Sequence, residues 1–414
     1  MAREILTQRH GGTEHNACAK VPLQSVLADS FSGEWGEECA AGSGVCVLRT
    51  VNFTNEGVIS FAKIAERAIK DRLVKAKKLC PGDIIVEKSG GTKDKPVGRV
   101  VYFDRSDGVF LTNNFTQVLR PDSQRVDSKY LLYVLLALYK MKITESLYNK
   151  TTGIQNLQMK GYLNLLIPLP PIPEQKRIAA ILDKICEMKR NAEARLQKLD
   201  LLVKARFVEM FGDPLENPLG FTIVALKELT TKIGSGATPK GGKESYRAEG
   251  VSLIRSMNVH DGSFKYIDLA HLSDKQAQEL NNVTVQSTDV LVNITGASVA
   301  RSCIVPDDVL PARVNQHVAI IRPNDKVLPL YLNRLFIYPS FKRLLLGIGE
   351  SGGATRQAIT KQQLEMLRIP LPPLALQRQF AAFVEKVEGL KATAKKELEQ
   401  VDLLYRAKLQ EFFG

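Results

Sequence analysis

Two stretches of the chain carry apolar residues on a seven-residue period. In the first, Ile178, Leu182, Ile185, Ala192, Leu196, Leu199, Val203 and Met210 fall on two positions of the heptad. In the second, Phe380, Val384, Val387, Ala394, Leu398, Val401, Tyr405 and Phe412 keep the same register. No Gly or Pro interrupts 174–211, and only Gly389 interrupts the second stretch. A seam this narrow and long predicts a coiled coil, with the two stretches as each other's partner. A helix of about 38 residues extends roughly 57 Å at 1.5 Å per residue. That exceeds what a globular helix of ~12 residues uses, which weighs against each helix merely covering its own neighbouring module. Each seam side chain contributes about 1.5–3 kcal/mol gross on burial. A long module separates the stretches, so either direction is open. An antiparallel pair would relate the flanking modules by a pseudo-two-fold axis.

Elsewhere the pattern is mixed. β-Branched runs at 83–86, 100–103, 289–293 and 318–321 predict strands. Apolar periodicity at 129–148 and 330–346 predicts helices. Ile167-Pro-Leu-Pro-Pro171 recurs as Ile369-Pro-Leu-Pro-Pro373, 202 residues on, and the prolines predict extended backbone just before each long helix. The same spacing aligns Gln175 with Gln377, Asp200-Leu-Leu202 with Asp402-Leu-Leu404, and Phe211-Gly212 with Phe413-Gly414. It reaches back to Asn113, Arg120 and Gln155, which align with Asn315, Arg322 and Gln357. Asp83 and Gly90 align with Asp289 and Gly296 at a spacing of 206, so a short insertion intervenes. The chain is a duplication of one large unit, a period far beyond solenoid repeats. The expected organisation is a module with its N-terminal leader over 1–171, a helix over 172–212, a second module over 213–373 and a helix over 374–414. The fold class is α+β: two α/β modules in tandem repeat, separated by two long helices that form an antiparallel coiled coil.

Charge adds a partner class. Across 414 residues the formal net charge is +13, with no basic tail to hold it. A polyanion therefore has to meet a surface assembled by folding. The six cysteines form no CxxC pair and the five histidines no ligand pair, which points to reduced thiols in a cytoplasmic protein without metal. The longest apolar run is far short of the ~20 residues of a membrane span. No Walker A motif and no G-x-G-x-x-G occurs, and nothing else in the sequence supports an enzyme.

Polar clusters in loops are the candidate readers of a nucleic acid. In the second module, Gly234-Ser-Gly-Ala-Thr-Pro-Lys-Gly-Gly242 lets backbone approach a phosphate, with Ser235, Thr238, Lys240 and Lys243 beside it. Arg255 and Asn258, Thr295, Ser298 and Arg301, Asn315-Gln316-His317, and Arg356-Gln357 carry side chains able to reach base edges. In the first module the matched clusters are Arg49 and Asn52, Lys88, Ser89 and Lys93, Asn113-Asn114, and Gln155-Asn156. Arg suits guanine, and Asn or Gln suits adenine. Each cluster alone is more often a turn, but matched recurrence in two copies favours a common role.

The sequence resembles the specificity subunit of type I restriction–modification enzymes. The motifs are IPLPPIPEQKRIAAILDKI, LDLLVKARFVEMFGDPLENP, the IGSGATPKGG loop, DVLVNITG and VNQHVAIIRP. The first module departs from the family, with Ser32-Gly33 where the second has its GSGATP loop. The resemblance implies a non-catalytic DNA-recognition subunit. Each target-recognition domain would read half of a bipartite duplex, and the helix pair would fix the spacer and dock two methyltransferase subunits. Restriction subunits would join them. S-Adenosylmethionine and ATP would belong to those partners, with no cofactor on this chain. The competing reading from the helices alone is a coiled-coil adaptor that binds only proteins.

Overall fold

The computed structural model describes residues 19–414 except 93–94, 152–153, 240 and 351–357, together with all side chains in that set but those of 149–151, 154 and 243. The β-branched runs form the centre of each module. In the first, a four-stranded antiparallel sheet runs Leu27–Ser32, Thr116–Pro121, Ile84–Glu87, Val100–Tyr102. In the second, the same order appears as Thr230–Ser235, Val318–Pro323, Val290–Asn293, Ser302–Ile304. Registers correspond: Ile84 faces Leu119 as Val290 faces Ile321. A smaller mixed sheet follows in each copy, built on Val45–Leu48 and on Val251–Ile254. The proline motifs are extended as expected. Leu166–Pro168 pairs with Lys20–Pro22, and Arg368–Leu371 pairs with Thr222–Ala225.

The module helices are shorter than the apolar runs suggest. The first spans Ser128–Lys140, capped by the Asp127 carboxylate on the Tyr130 N–H. It stops at Lys142, whose φ of 62° leaves the right-handed helical region. The chain then continues as Tyr148–Thr151 and Ile154–Leu157, an antiparallel hairpin. There, Pro329–Phe336 ends and Pro339–Glu350 begins anew, because Pro339 disfavours helix at Tyr338.

Each long helix has 40 residues, Ile172–Phe211 and Leu374–Phe413, and Gly389 breaks nothing. Contacts divide the chain into two units, one running to Ala192 and joined by Lys396–Gly414, the other Glu193–Lys395. In the first unit, Ile178, Leu182 and Ile185 share a core with Val401, Tyr405 and Leu409. Lys189 meets Asp402 at 2.9 Å, and Arg177 lies within electrostatic reach of Glu411, so the two segments run antiparallel. In the second unit, Leu199, Val203 and Phe207 share a core with Phe380, Val384 and Val387. Asp200 meets Lys391 at 2.7 Å and Phe207 packs on Phe380, again antiparallel. Leu196 and Leu398 are half-buried. The seam also has a second task. Its side chains pack on Tyr130, Tyr133 and Leu136 in the first unit and on Tyr331, Leu335 and Phe341 in the second. Pairing and module covering thus use the same residues.

Buried polar groups hold each helix start to its module in duplicate. Gln175 accepts from Asp127 N at 2.7 Å and donates to Pro170 O at 2.7 Å; Gln377 accepts from Leu328 N at 2.7 Å and donates to Pro372 O at 2.8 Å. Tyr130 donates to Pro168 O, and Tyr331 to Pro370 O. Arg120 grips Asp83 with two bonds of 2.8 Å, and Arg322 grips Asp289 identically. Both carboxylates are buried, and such forks add fixed geometry to charge.

Candidate nucleic-acid interface

The outward ends of the central sheets carry most of the polar clusters. Their backbone frame is common to both modules. Lys88 N donates to Phe115 O at 2.9 Å, as Ile294 N does to His317 O at 2.9 Å. Leu157 N donates to Lys88 O, as Ile359 N does to Ile294 O, both at 2.8 Å. Gly33 and Gly236 occupy one place in this frame. A Cβ at Gly33 would lie 2.1 Å from Asn113 O, and one at Gly236 would lie 1.6 Å from Val314 O. The close backbone approach that the second glycine-rich loop needs is therefore kept in the first by Ser32-Gly33.

Some expected readers belong to this frame instead. Asn52 and Asn258 are buried at 2% and 0% exposure. Asn52 accepts from Arg49 N at 2.9 Å and donates to Ser60 O and Ala62 O. Asn258 accepts from Arg255 N at 3.0 Å and donates to Lys265 O and Ile267 O. Their amides are fully used in matching loops, which corrects the expectation that they reach base edges. Arg49 and Arg255 each donate to a carbonyl of the same loop, Lys63 O and Asp268 O. Asn113 and Asn315 are buried, the latter accepting from His317 N at 3.1 Å.

Other candidates are brought together. In the second module Thr238 donates to Gln316, whose amide contacts His317 Nε2 at 3.1 Å, while His317 Nδ1 bonds Thr295 Oγ1. A tautomer with Nδ1 protonated satisfies this chain. It borders a concavity of about 460 Å³ lined by Ser256, Thr295, Ser298, Arg301 and His317. Ser298 Oγ accepts from the buried Asn293 at 3.2 Å. Ser235 lies in a neighbouring groove of about 420 Å³ with Lys227, Lys232 and Lys361. Lys243 sits on the short helix Gly242–Ser245, while Lys240, Arg356 and Gln357 lie outside the described residues.

The corresponding surface of the first module has other side chains. Lys88 Nζ donates to Ser32 Oγ at 2.6 Å, and burial together with Lys77 holds its ammonium below the ordinary lysine range. Ser89 Oγ bonds Asn156 at 2.7 Å, and Gln155 accepts from Val97 N at 3.3 Å. Asn114 and Phe115 are exposed, and Lys93 lies outside the described residues. The sequence reading missed His317 as the hub of its chain. It also missed Trp35, which carries the Arg67 guanidinium at 4.0 Å and lines a groove of about 610 Å³ with Lys70, Arg72 and Asn114. Trp35 is the sole tryptophan, and that rarity was the available signal.

Among the described residues no cluster of His, Cys, Asp or Glu could hold a metal ion, and no helix is long and apolar enough to cross a membrane.

Comparison with known proteins agrees with this duplicated architecture. The profile of the type I restriction modification DNA specificity domain matches residues 39–200 and again 218–402. A Methanocaldococcus jannaschii protein provisionally named the type I restriction enzyme MjaX specificity subunit is 25% identical over 352 residues, covering 81% of this chain and 78% of that one. The EcoKI specificity subunit of Escherichia coli is 21% identical over 357 residues, covering 80% and 72%. The crystal structure of the type I restriction-modification system S subunit from M. genitalium superposes with a TM-score of 0.58 at 17% identity, over 97% of this chain and 98% of that one. With matches to both halves spanning most of its length, the chain belongs to the type I restriction–modification DNA specificity family and carries the family's domain twice.

Proposed function

We propose that this chain selects the DNA site for a type I restriction–modification enzyme and has no catalytic centre of its own. Each module reads one half of a bipartite double-stranded target. The long helices set the spacer and dock two methyltransferase subunits, and restriction subunits complete the assembly. S-Adenosylmethionine and ATP are ligands of those partners, and the complex works in the cytoplasm.

The observation that carries this reading is divergence on a duplicated frame. The bonds from Lys88 N to Phe115 O and from Ile294 N to His317 O are the same, yet the side chains beside them differ. A common scaffold with different outward groups suits two unlike half-sites. The lysines around Ser235 suit phosphates, which supply affinity and register, while the polar groups beside them suit base edges.

The test is duplex binding by the chain assembled with methyltransferase subunits, across a salt series and a randomised target library. Affinity is expected to fall linearly in log–log form with salt, and the preferred sequence to fall into two blocks around a fixed spacer. Absence of DNA binding with and without the methyltransferase would sink the proposal in favour of a protein-only adaptor.

A further inference from the structure

Arg99 and Arg301 occupy one position in the two copies. Glu87 N donates to Arg99 O at 2.8 Å, and Asn293 N donates to Arg301 O at 2.9 Å. Gly98 N donates back to Glu87 O at 2.7 Å, and Ala300 N to Asn293 O at 2.9 Å. Gly98 and Ala300 share positive φ, 95° and 65°. The backbone is the same, but the fates of the two guanidinium groups are not.

Arg99 is locked inside. It is 8% exposed, meets Glu87 Oε2 at 2.6 Å, and donates to Phe53 O at 3.3 Å and Thr50 O at 3.1 Å. In the second copy the carboxylate position holds Asn293, which has no charge to pair. The carbonyl matching Thr50 O is Ser256 O, 206 residues on, and it is capped at 2.8 Å by the Asn293 amide rather than by an arginine. Asn293 thus removes the counterion and takes over one of the acceptors. Arg301 is left half-buried on the rim of the concavity with Thr295, Ser298 and His317, and its guanidinium has no hydrogen-bond partner among the described residues.

We infer that the exchange of Glu87 for Asn293 releases Arg301 to read a guanine in the half-site of the second module, and that Arg99 is barred from the equivalent task in the first. A guanidinium fork matches the O6 and N7 acceptors of guanine in the major groove. It also matches phosphate oxygens, so the experiment has to separate the two. The inference rests on the proposed DNA-reading role.

The assay uses the chain assembled with its methyltransferase subunits and a duplex library randomised over both half-sites, at several salt concentrations. Arg301→Ala is expected to erase the preference for G·C at one position of one half-site, by roughly 10- to 100-fold. The other half-site and the salt slope should be nearly unchanged. Asn293→Glu, which restores the lock, should reproduce the same single-position loss. If Asn293→Glu does not fold, Arg301→Ala, a change on the rim, decides alone. A uniform loss over all sequences with the salt slope reduced by about one would make Arg301 a phosphate anchor and overturn the inference. Unchanged preferences would overturn it too. If the wild-type assembly shows no sequence preference at all, the DNA-reading role fails first and takes the inference with it.

Discussion

Phe380 and Ile178 occupy the same turn of the two long helices, 202 residues apart, yet they are packed in different ways. Phe380 is fully buried in a cluster of rings with Phe207 and Phe211, at centroid distances of 5.6 and 5.3 Å. Ile178 has no ring and shares its core with Leu182, Leu409, Tyr130 and Tyr405. The second unit therefore places a ring against the rings of the facing helix at the position where the first has an aliphatic side chain. Phe380→Ala is expected to destabilise the second unit by about 3–5 kcal/mol. Ile178→Ala should cost the first about 2–3 kcal/mol, at the lower end for such truncations. Hydrogen exchange resolved by unit measures both. Equal losses would break the comparison, because they would show that the ring cluster adds nothing beyond volume.

The pair at positions 87 and 293 sharpens it. Burial pushes the Glu87 carboxyl above its ordinary range even with Arg99 beside it, so the ion pair is held by the fold around it. Glu87→Gln leaves the Arg99 charge buried without a counterion, at an expected cost of about 3 kcal/mol. Asn293→Ala removes donors to Ser256 O and Ser298 Oγ and should cost about 1–2 kcal/mol. Unit-resolved denaturant melting that ranks them the other way would contradict the locked and released readings of the two arginines.

Where the frame is common, the effects should be equal. Gln175→Ala and Gln377→Ala each remove a buried amide bonded to three backbone groups. About 1–3 kcal/mol is expected from each, in its own unit. A difference beyond 1 kcal/mol would mean that the two helix starts are not held by one design.

These contrasts show which parts of the molecule could be read from sequence. The heptads gave the long helices because a seam of apolar residues without Gly or Pro has few other uses, and one glycine does not stop a helix packed along its length. The proline motifs gave the extended backbone before them for steric reasons. The paired asparagines were misread because a buried Asn that closes its own loop and an exposed Asn that reads a base look identical in sequence. Burial of the side chain decides between them, and it comes from the folded loop, which brings the carbonyls of Ala62 and Ile267, ten and nine residues on, to the two amides. The exchange of Glu87 for Asn293 beside a shared arginine is masked in sequence by the insertion. The spacing between copies is 206 at Glu87 and 202 at Arg99, so no single offset aligns both members of the pair, and only the strand pairing sets them side by side.

The smallest contrast lies on the surface of the helices. Lys189 meets Asp402 at 2.9 Å in the first unit, and Lys391 meets Asp200 at 2.7 Å and Glu388 at 2.9 Å in the second. Burial opposes the Lys391 charge, but the bonds from Asp200 and Glu388 outweigh it and raise the ammonium above its ordinary range. A lysine raised on folding lends stability at neutral pH and loses it as pH climbs through the raised value. Both pairs are partly solvated, so Lys189→Ala and Lys391→Ala should each cost under about 1 kcal/mol, the second more than the first. In 1 M salt, where the screening length shrinks to about 3 Å, the gap should narrow. Above the ordinary lysine range Lys391→Ala should approach wild type. A gap that survives both salt and alkali would assign the difference to the packing of the lysine stem against the helix rather than to charge.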